Sequence, residues 1–396
     1  MMTGSSTLSL IDDKGCKRIA SCRPVFSGVE RVDQVTSGVE RRLYHAGPPI
    51  VDTLKIAAPL MNSLCLGAIY EAWANDYDSA AALILSGDVE ILAAQDHDMV
   101  IPLAGVLSPS MAILKISDAN NLEQVFFAAI NEGNELATRL GKFDLNFIEH
   151  LKWLNGSFAR WLGTTAETPI DLLPIIKESL LLGDDCHART LNGSKLIHEA
   201  LFLNHGCDVK TKEFLNESGA FALNFWMGAA GLCLAQASGL EGCSIVTKVG
   251  SNGHEFGIQI AGNPGKWIVE KAPVPVGQIL PGFSGKQALP AIGDSTVVDF
   301  LGLGGQCLSY AVATLEALKS LLPVDTLERT TGVLGSHFDA IGLKNAATSA
   351  RQCCASRKGP IVLIGMIDKS GESGRIGGGF IDVPHSIFCQ SLKHLD

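Results

Sequence analysis

The chain has 396 residues, too many for a single core, and its 46% hydrophobic and 18% charged content describes a well-buried globular protein of two or three domains rather than a disordered one. The formal net charge of -10, with no basic run, excludes nucleic acid and anionic membranes as main partners. No apolar run reaches the roughly 18 residues that span a bilayer, and Lys14, Lys17 and Arg18 are not followed by an apolar stretch, so no secretory signal is expected.

The 11 cysteines are irregularly spaced, several lie in apolar surroundings (Cys65, Cys233, Cys307), and the adjacent Cys353 and Cys354 suit neither a routine disulfide nor a usual zinc site. They are expected to be reduced small hydrophobes in a cytoplasmic protein.

In chain order, residues 1–42 form an N-terminal segment, polar and partly irregular, with a short helix around Gly28–Leu43. His45-Ala46-Gly47-Pro48-Pro49 fixes an extended or turned backbone. Helices are predicted from Pro59 through Trp73 and over 77–86, then strands at Val89–Ala93 and Ala112–Ser117, then a helix over 121–138. Between these strands, His97 sits between Asp96 and Asp98; a polar strand-end turn is preferred there over a metal ligand, because one histidine supplies too few donors. Residues 143–215 read as helical, from the spacing of Phe147, Leu151, Leu154, Phe158 and Leu162, with Thr168-Pro169 opening another helix. A long apolar helix follows over Asn216–Ala237, with Asn224 making a core hydrogen bond.

Ser244–Val249 and Phe256–Ala261 read as strands joined by Gly250-Ser251-Asn252-Gly253, where Asn-Gly is a strong hairpin signal. Gly293-Asp294-Ser295 is a second polar turn. Gly302-Leu-Gly304-Gly305 precedes a helix over Ser309–Leu322, Pro360–Met366 is a strand, Ser370–Gly379 is a glycine-rich loop, and Phe380–Val383 is the last strand. The fold class is α/β (α+β), multi-domain, with two α/β lobes at 43–142 and 216–396 flanking a helical middle segment.

Three clusters carry candidate chemistry. Gly183-Asp184-Asp185-Cys186-His187-Ala188-Arg189 brings an acid, an imidazole and a guanidinium together; a solvated helix start with Asp184 as N-cap fits the residues equally well. The turns at Ser251-Asn252-Gly253 and Asp294-Ser295 offer short polar groups and backbone amides to a small anion, although turn residues are also common for conformational reasons alone. Glycines at Gly304-Gly305 before a helix can cradle an anion, but neither nucleotide-binding fingerprint is present.

These motifs, taken in order, resemble the YlbE/YahG/AllG-like family, the domain of unknown function family numbered 1116. The matching pieces are H-A-G-P-P-I (45–50), G-A-I-Y-E-A-W-A (67–74), P-L-A-G-V-L-S-P-S-M (102–111), N-E-G (131–133), G-D-D-C-H-A-R (183–189), N-G-H-E-F-G-I (252–258), P-G-F-S (281–284), G-D-S (293–295), L-G-L-G-G (301–305) and G-R-I-G-G-G-F-I-D-V-P (374–384). They span nearly the whole chain from about residue 40.

The resemblance implies a multi-domain α/β protein related to a subunit of oxamate carbamoyltransferase, which works beside an FdrA-like protein and moves a carbamoyl group between oxamate and phosphate in allantoin breakdown. It implies His187 as proton shuttle with Asp184, Asp185 and Arg189 as catalytic partners. Substrate-binding groups are then drawn from His45, Gly47, Glu132, Ser251, Asn252, Gly253, Phe256, Gly257, Asp294, Ser295, Gly304 and Gly305. No metal and no cofactor are expected; the partners are a small anionic substrate, an FdrA-like subunit and further copies of this chain.

The chain departs from the family at three places. A histidine-rich piece keeps only His97, an arginine is replaced by Ser251, and an asparagine by Thr190. Losing a cationic anchor weakens the hold on an anion. Two alternatives to a carbamoyl-transfer enzyme therefore stand: a non-catalytic scaffold subunit of an FdrA-like complex, and a stand-alone C–N hydrolase or lyase.

Overall fold

The computed structural model describes residues 9–203 and 205–395. Residues 1–8 of the segment expected to be irregular lie outside the described residues.

The remainder of that segment is ordered. Leu10–Ser21 is a helix capped by Ser9, whose side chain accepts from the Asp12 amide. Pro24–Arg31 is a strand, where a helix over Gly28–Leu43 was expected. Its Val25, Phe26 and Val29 find a neighbour in Ala112–Asp118, to which it pairs antiparallel through a bulge between Phe26 and Gly28. Only the turn at Val32–Val35 is helical before the next strand, Arg42–His45.

The second reversal is at Asn121–Ala129, expected to be helical and observed as a strand. Its Glu, Gln and Ala residues favour helix weakly, but pairing along Ala112–Asp118 buries Phe126 and Phe127, and tertiary packing overrides propensity. These strands form a five-stranded sheet in the order Met99–Val100, Asn121–Ala129, Ala112–Asp118, Pro24–Arg31, Ile170–Asp171. A three-stranded sheet, Glu90–Ala93, Arg42–His45, Val106–Leu107, lies earlier in the chain.

The helical middle holds Asn146–Trp153, a π-helical turn at Leu154–Phe158, Ala159–Thr164, Leu172–Leu181 and Leu191–Phe202. The helix expected to open at Thr168-Pro169 begins later, at Leu172, capped by Asp171. The single helix expected over Asn216–Ala237 is two, Val209–Glu217 and Ala222–Ala235, bent by 73°. Among the described residues, no single helix is long and apolar enough to cross a membrane.

Ala222–Ala235 is buried almost all round and packs on the five-stranded sheet. Close approach explains its small residues. A Cβ at Gly231 would lie 2.5 Å from the Phe126 ring, and one at Gly228 would lie 2.7 Å from Ile116. Phe225 meets Phe26 edge-on at 5.2 Å on the same face.

The expected hairpin is present as Val246–Asn252 and Glu255–Ile260, with the strand running on through Gly250 and Ser251 so that the turn falls at Gly253-His254. It belongs to a four-stranded sheet with Ile268–Lys271 and Ile292–Gly293. The last sheet is Val276–Ile279, Arg375–Asp382, Ile361–Ile367. Much of the glycine-rich stretch expected to be a loop is therefore strand. Gly377, Gly378 and Gly379 pair with both neighbours and give the sheet a face without side chains. The helix expected over Ser309–Leu322 is shorter, Val312–Leu318, after a 3-10 turn at Gly304–Gln306. The architecture is α+β, as the pattern of elements indicates.

The cysteine expectation needs one correction. Cys354 and Cys389 form a disulfide between two helices, Ala350–Ser356 and Ser386–Leu392, whereas the neighbouring Cys353 is free and buried. The remaining cysteines among the described residues are free, and all but Cys207 are buried, as small hydrophobes would be.

Candidate functional site

A cleft of about 580 Å³ opens among the 187–191 segment, the start of the Ala222–Ala235 helix, the Val312–Leu318 helix and the glycine-bearing strand Arg375–Asp382. That volume is within the roughly 300–1,000 Å³ range of small-molecule sites. Polar groups converge on it: His187, Arg189, Thr190, Asn131, Asn134, Arg139, Ser295 and Arg375.

The 182–190 segment is a loop with Asp184–His187 buried, not a helix start, and its acids hold it in shape. Asp184 caps the following helix from outside, accepting from the Gly193 amide at 2.8 Å and from Asn192 Nδ2 at 3.2 Å. Asp185 accepts from the backbone amides of His187 and Arg189 at 2.8 and 3.0 Å, and from Thr314 Oγ1 at 2.8 Å. Burial raises both carboxyls above their ordinary value against these donors. Both aspartates are thus occupied by the protein itself, and neither lines the cleft.

His187 is held from the other side. Its Nδ1 donates to Asp299 Oδ2 at 2.5 Å. Asp299 is fully buried in the Thr296–Leu301 helix, and its other oxygen accepts from the amides of Gly305 at 2.7 Å and Leu363 at 3.1 Å. Gly304 makes this approach possible: its φ is 55°, and a Cβ there would lie 2.2 Å from Asp299 Oδ1. Burial opposes charging the imidazole, but the Asp299 charge and hydrogen bond, with Asp185 behind, outweigh it and raise the His187 pKa above its ordinary value. With Nδ1 fixed on Asp299, Nε2 is the nitrogen left for a substrate, the arrangement of a general acid–base positioned by a carboxylate.

Arg189 reaches back to Asp184 at 3.6 Å and is partly exposed. Arg139 donates from Nη2 to the Gly133 carbonyl, and Arg375 from Nε to the Gly377 carbonyl at 3.0 Å. Burial lowers the pKa of both; at Arg139 the Glu132 charge opposes this and the Arg375 charge adds to it.

Of the residues picked out by sequence, His187, Arg189 and Ser295 line the cleft. Others lie behind it. Asp294 accepts from the Gly47 amide at 2.8 Å, Gln95 Nε2 at 2.6 Å and the Ile101 amide at 3.0 Å, binding three segments beneath Pro102, Leu103 and Ser295. Gly304 donates its amide to the Asp185 carbonyl, and Gly305 to Asp299. Glu132 accepts from Thr138 Oγ1 and the Arg139 amide, holding the loop that carries Arg139.

A third set is elsewhere. His45 is fully buried, with Nδ1 on the Ala46 carbonyl and burial pressing its pKa down to about 4. Ser251 is buried in the hairpin strand, Asn252 caps the turn by accepting from His254 and Glu255, Gly253 takes a φ of 85° there, and Phe256 is core. Gly257 packs its bare Cα against Trp267 and Pro48. None of these lines the cleft.

Asp299, Arg139, Arg375 and Asn131 were missed from sequence. Asp299 left a usable signal: a lone carboxylate in the apolar run V-V-D-F-L must be buried, and a buried acid needs partners. The arginines left none: Arg139 follows the helix expected over 121–138, and Arg375 falls in the stretch read as a glycine-rich loop. Among the described residues, no three His, Cys, Asp or Glu side chains are grouped as a metal would require.

Comparison with known proteins agrees with this architecture. A crystal structure of a conserved protein of unknown function from Enterococcus faecalis V583 superposes with a TM-score of 0.90 at 24% identity, covering 97% of this chain and 96% of that one. The uncharacterized protein YahG of Escherichia coli (strain K12) is 26% identical over 409 residues, 97% of this chain and 85% of that protein. Oxamate carbamoyltransferase subunit AllG of the same organism is 26% identical over 403 residues, 96% of this chain and 95% of that protein. The family described as oxamate carbamoyltransferase subunit AllG matches residues 89–295, more than half of the sequence, and the chain belongs to that family.

Proposed function

We propose that the chain is an enzyme subunit that transfers a carbamoyl group between a small ureido acid and an oxyanion acceptor, as the name of its relative AllG suggests for that protein. The observation that carries the reading is the His187–Asp299 pair facing a cleft that also presents Arg139, Arg189 and Arg375. An anionic substrate and a proton transfer are the two demands of this reaction, and the cleft is furnished for both.

With oxalurate and phosphate the step balances as follows. A phosphate oxygen attacks the carbamoyl carbon, the bond from that carbon to the amide nitrogen breaks, and oxamate leaves as carbamoyl phosphate forms. His187 Nε2 takes the proton from the attacking hydrogen phosphate and returns it to the leaving nitrogen, while Asp299 stabilises the imidazolium between the two transfers. The arginines hold the carboxylate and phosphate oxygens.

Assembly with an FdrA-like partner and with further copies of the chain belongs to the same proposal; the word subunit in the relative's name supports the first. A pure scaffold is the second reading, supported by the missing family histidines and by the replacement of an expected arginine by Ser251. Ser251 is buried outside the cleft lining, so that replacement removes no cation from the cleft. Thr190, the other replacement, does line the cleft and marks where substrate choice would differ.

The test is thermal unfolding of the purified chain with oxalurate or oxamate. A ligand at about 100 times its dissociation constant adds roughly 2.7 kcal/mol. A shift with either supports the reading; no shift with either, alone or together with phosphate, counts against a substrate site in this chain.

A further inference from the structure

Deepening the reading above, we propose that Arg139 and Arg375 form a subsite for a dianionic oxyanion of the phosphate class in the cleft that His187 faces.

Both guanidiniums line the cleft, and they come from distant parts of the chain, the 3-10 turn Thr138–Leu140 and the first residue of the glycine-bearing strand. Their chain neighbours are in contact, since a Cβ at Gly374 would lie 3.5 Å from the Leu140 Cβ, and the charge of Arg375 bears on Arg139. Among the described residues, neither has a carboxylate within ion-pair distance. Glu132 is the nearest acid influencing Arg139, and its two oxygens are taken by Thr138 Oγ1 and the Arg139 backbone amide.

Each guanidinium is anchored by one carbonyl and keeps other donors. Arg139 uses Nη2 on Gly133, and Arg375 uses Nε on Gly377, so Arg139 Nη1 and both Nη groups of Arg375 have no protein partner among the described residues. Gly378 leaves room for the Arg375 head, since a Cβ there would lie 3.1 Å from its Nη2.

Two like charges brought together in a partly desolvated cleft repel each other, and each is costly without a counter-charge. A monocarboxylate compensates one of them. A phosphate dianion compensates both, and its tetrahedral oxygens accept from two guanidinium forks at once. Arg189 stands on the opposite loop, already near Asp184, and remains for the single charge of a carboxylate.

The experiment is calorimetric titration of the full chain with inorganic phosphate, alone and with saturating oxamate, for wild type, Arg139→Ala, Arg375→Ala and Arg375→Lys. Arg375 is open to the cleft, so its variants are expected to fold, with circular dichroism as the check. Arg375→Ala is expected to weaken phosphate at least about tenfold, the scale of one charge-assisted hydrogen-bonded contact. Arg375→Lys is expected to recover part of that loss. Unchanged phosphate affinity in both alanine variants would overturn the proposal. So would absence of phosphate binding to wild type under both conditions, or a loss confined to oxamate. Phosphate binding that depends on the arginines in a chain that makes no carbamoyl phosphate would sink the reaction and keep the subsite.

Discussion

His187 Nδ1 and Asp299 Oδ2 meet at 2.5 Å across 112 residues of sequence; the His187 amide donates to Asp185 Oδ1, and Asp299 accepts from the amides of Gly305 and Leu363. The pairing closes the loop at 182–190 onto the helix Thr296–Leu301 and aims Nε2 outward. It decides tautomer and orientation together.

Replacing Asp299 with Asn is expected to lower turnover by about 10²–10⁴-fold, the range for a displaced general acid–base. The raised pKa of His187 also has a stability consequence. A group whose folded pKa exceeds its unfolded value adds stability that is fully present below the unfolded pKa and is lost as pH rises through the folded one. In Asp299→Asn that loss, expected from about pH 6.5 upward, should flatten. Urea unfolding at pH 5.5 and 8.5 checks it; an unchanged difference would contradict the pairing.

Asp294 should behave as a second pH-sensitive lock. Burial, only partly offset by the Gly47 and Ile101 amides and Gln95, raises its carboxyl from 3.8 to about 7. The protonated form is the one favoured in the fold, so its contribution is fully present below pH 3.8 and fades as pH rises through about 7. Asp294→Asn is expected to remove this slope and to cost about 1–3 kcal/mol at pH 5, because one donor is left facing an amide. Denaturant midpoints across pH 4–8 show both effects.

Thr314→Val tests whether Asp185 is a loop brace. Its Oδ2 would lose the hydroxyl that now donates at 2.8 Å, leaving a buried acceptor unpaired. A cost of about 1–3 kcal/mol is expected, with weaker substrate binding as the loop loosens. A KM unchanged alongside an unchanged unfolding midpoint would deny the brace.

Gly231→Ala tests the helix-on-sheet contact. The new methyl would meet the Phe126 ring at 2.5 Å, and overpacking of this kind costs about 1–3 kcal/mol. Differential scanning calorimetry should show a lower midpoint. An equal or higher midpoint would mean that the ring has room to yield.

The fold was legible where one residue's preference agreed with its neighbours. The Asn252-Gly253 hairpin, the helix Tyr77–Ser86 and the strand Ile361–Ile367 follow from glycine placement and apolar run length. It was illegible where a distant partner decided. Asn121–Ala129 is a strand because Ala112–Asp118 lies beside it, and the R-I-G-G-G-F-I-D run is a strand because glycine permits pairing on both edges. The site divides in the same way. His187 and Arg189 stood out as titratable and charged groups in a compact motif. Asp299, Arg139 and Arg375 act only through contacts between segments far apart in sequence, which no local pattern carries. Asp184 and Asp185 looked like chemistry for the same reason that they serve structure: short acids accept amides well.

The most direct measurement is formation of carbamoyl phosphate from oxalurate and phosphate by this chain, purified alone and co-expressed with an FdrA-like subunit, for wild type and His187→Gln. Product from the wild type and a loss of about 100-fold or more in the variant are predicted, with circular dichroism showing both proteins folded. Equal rates in the two proteins, or no product from either wild-type preparation, would contradict the account.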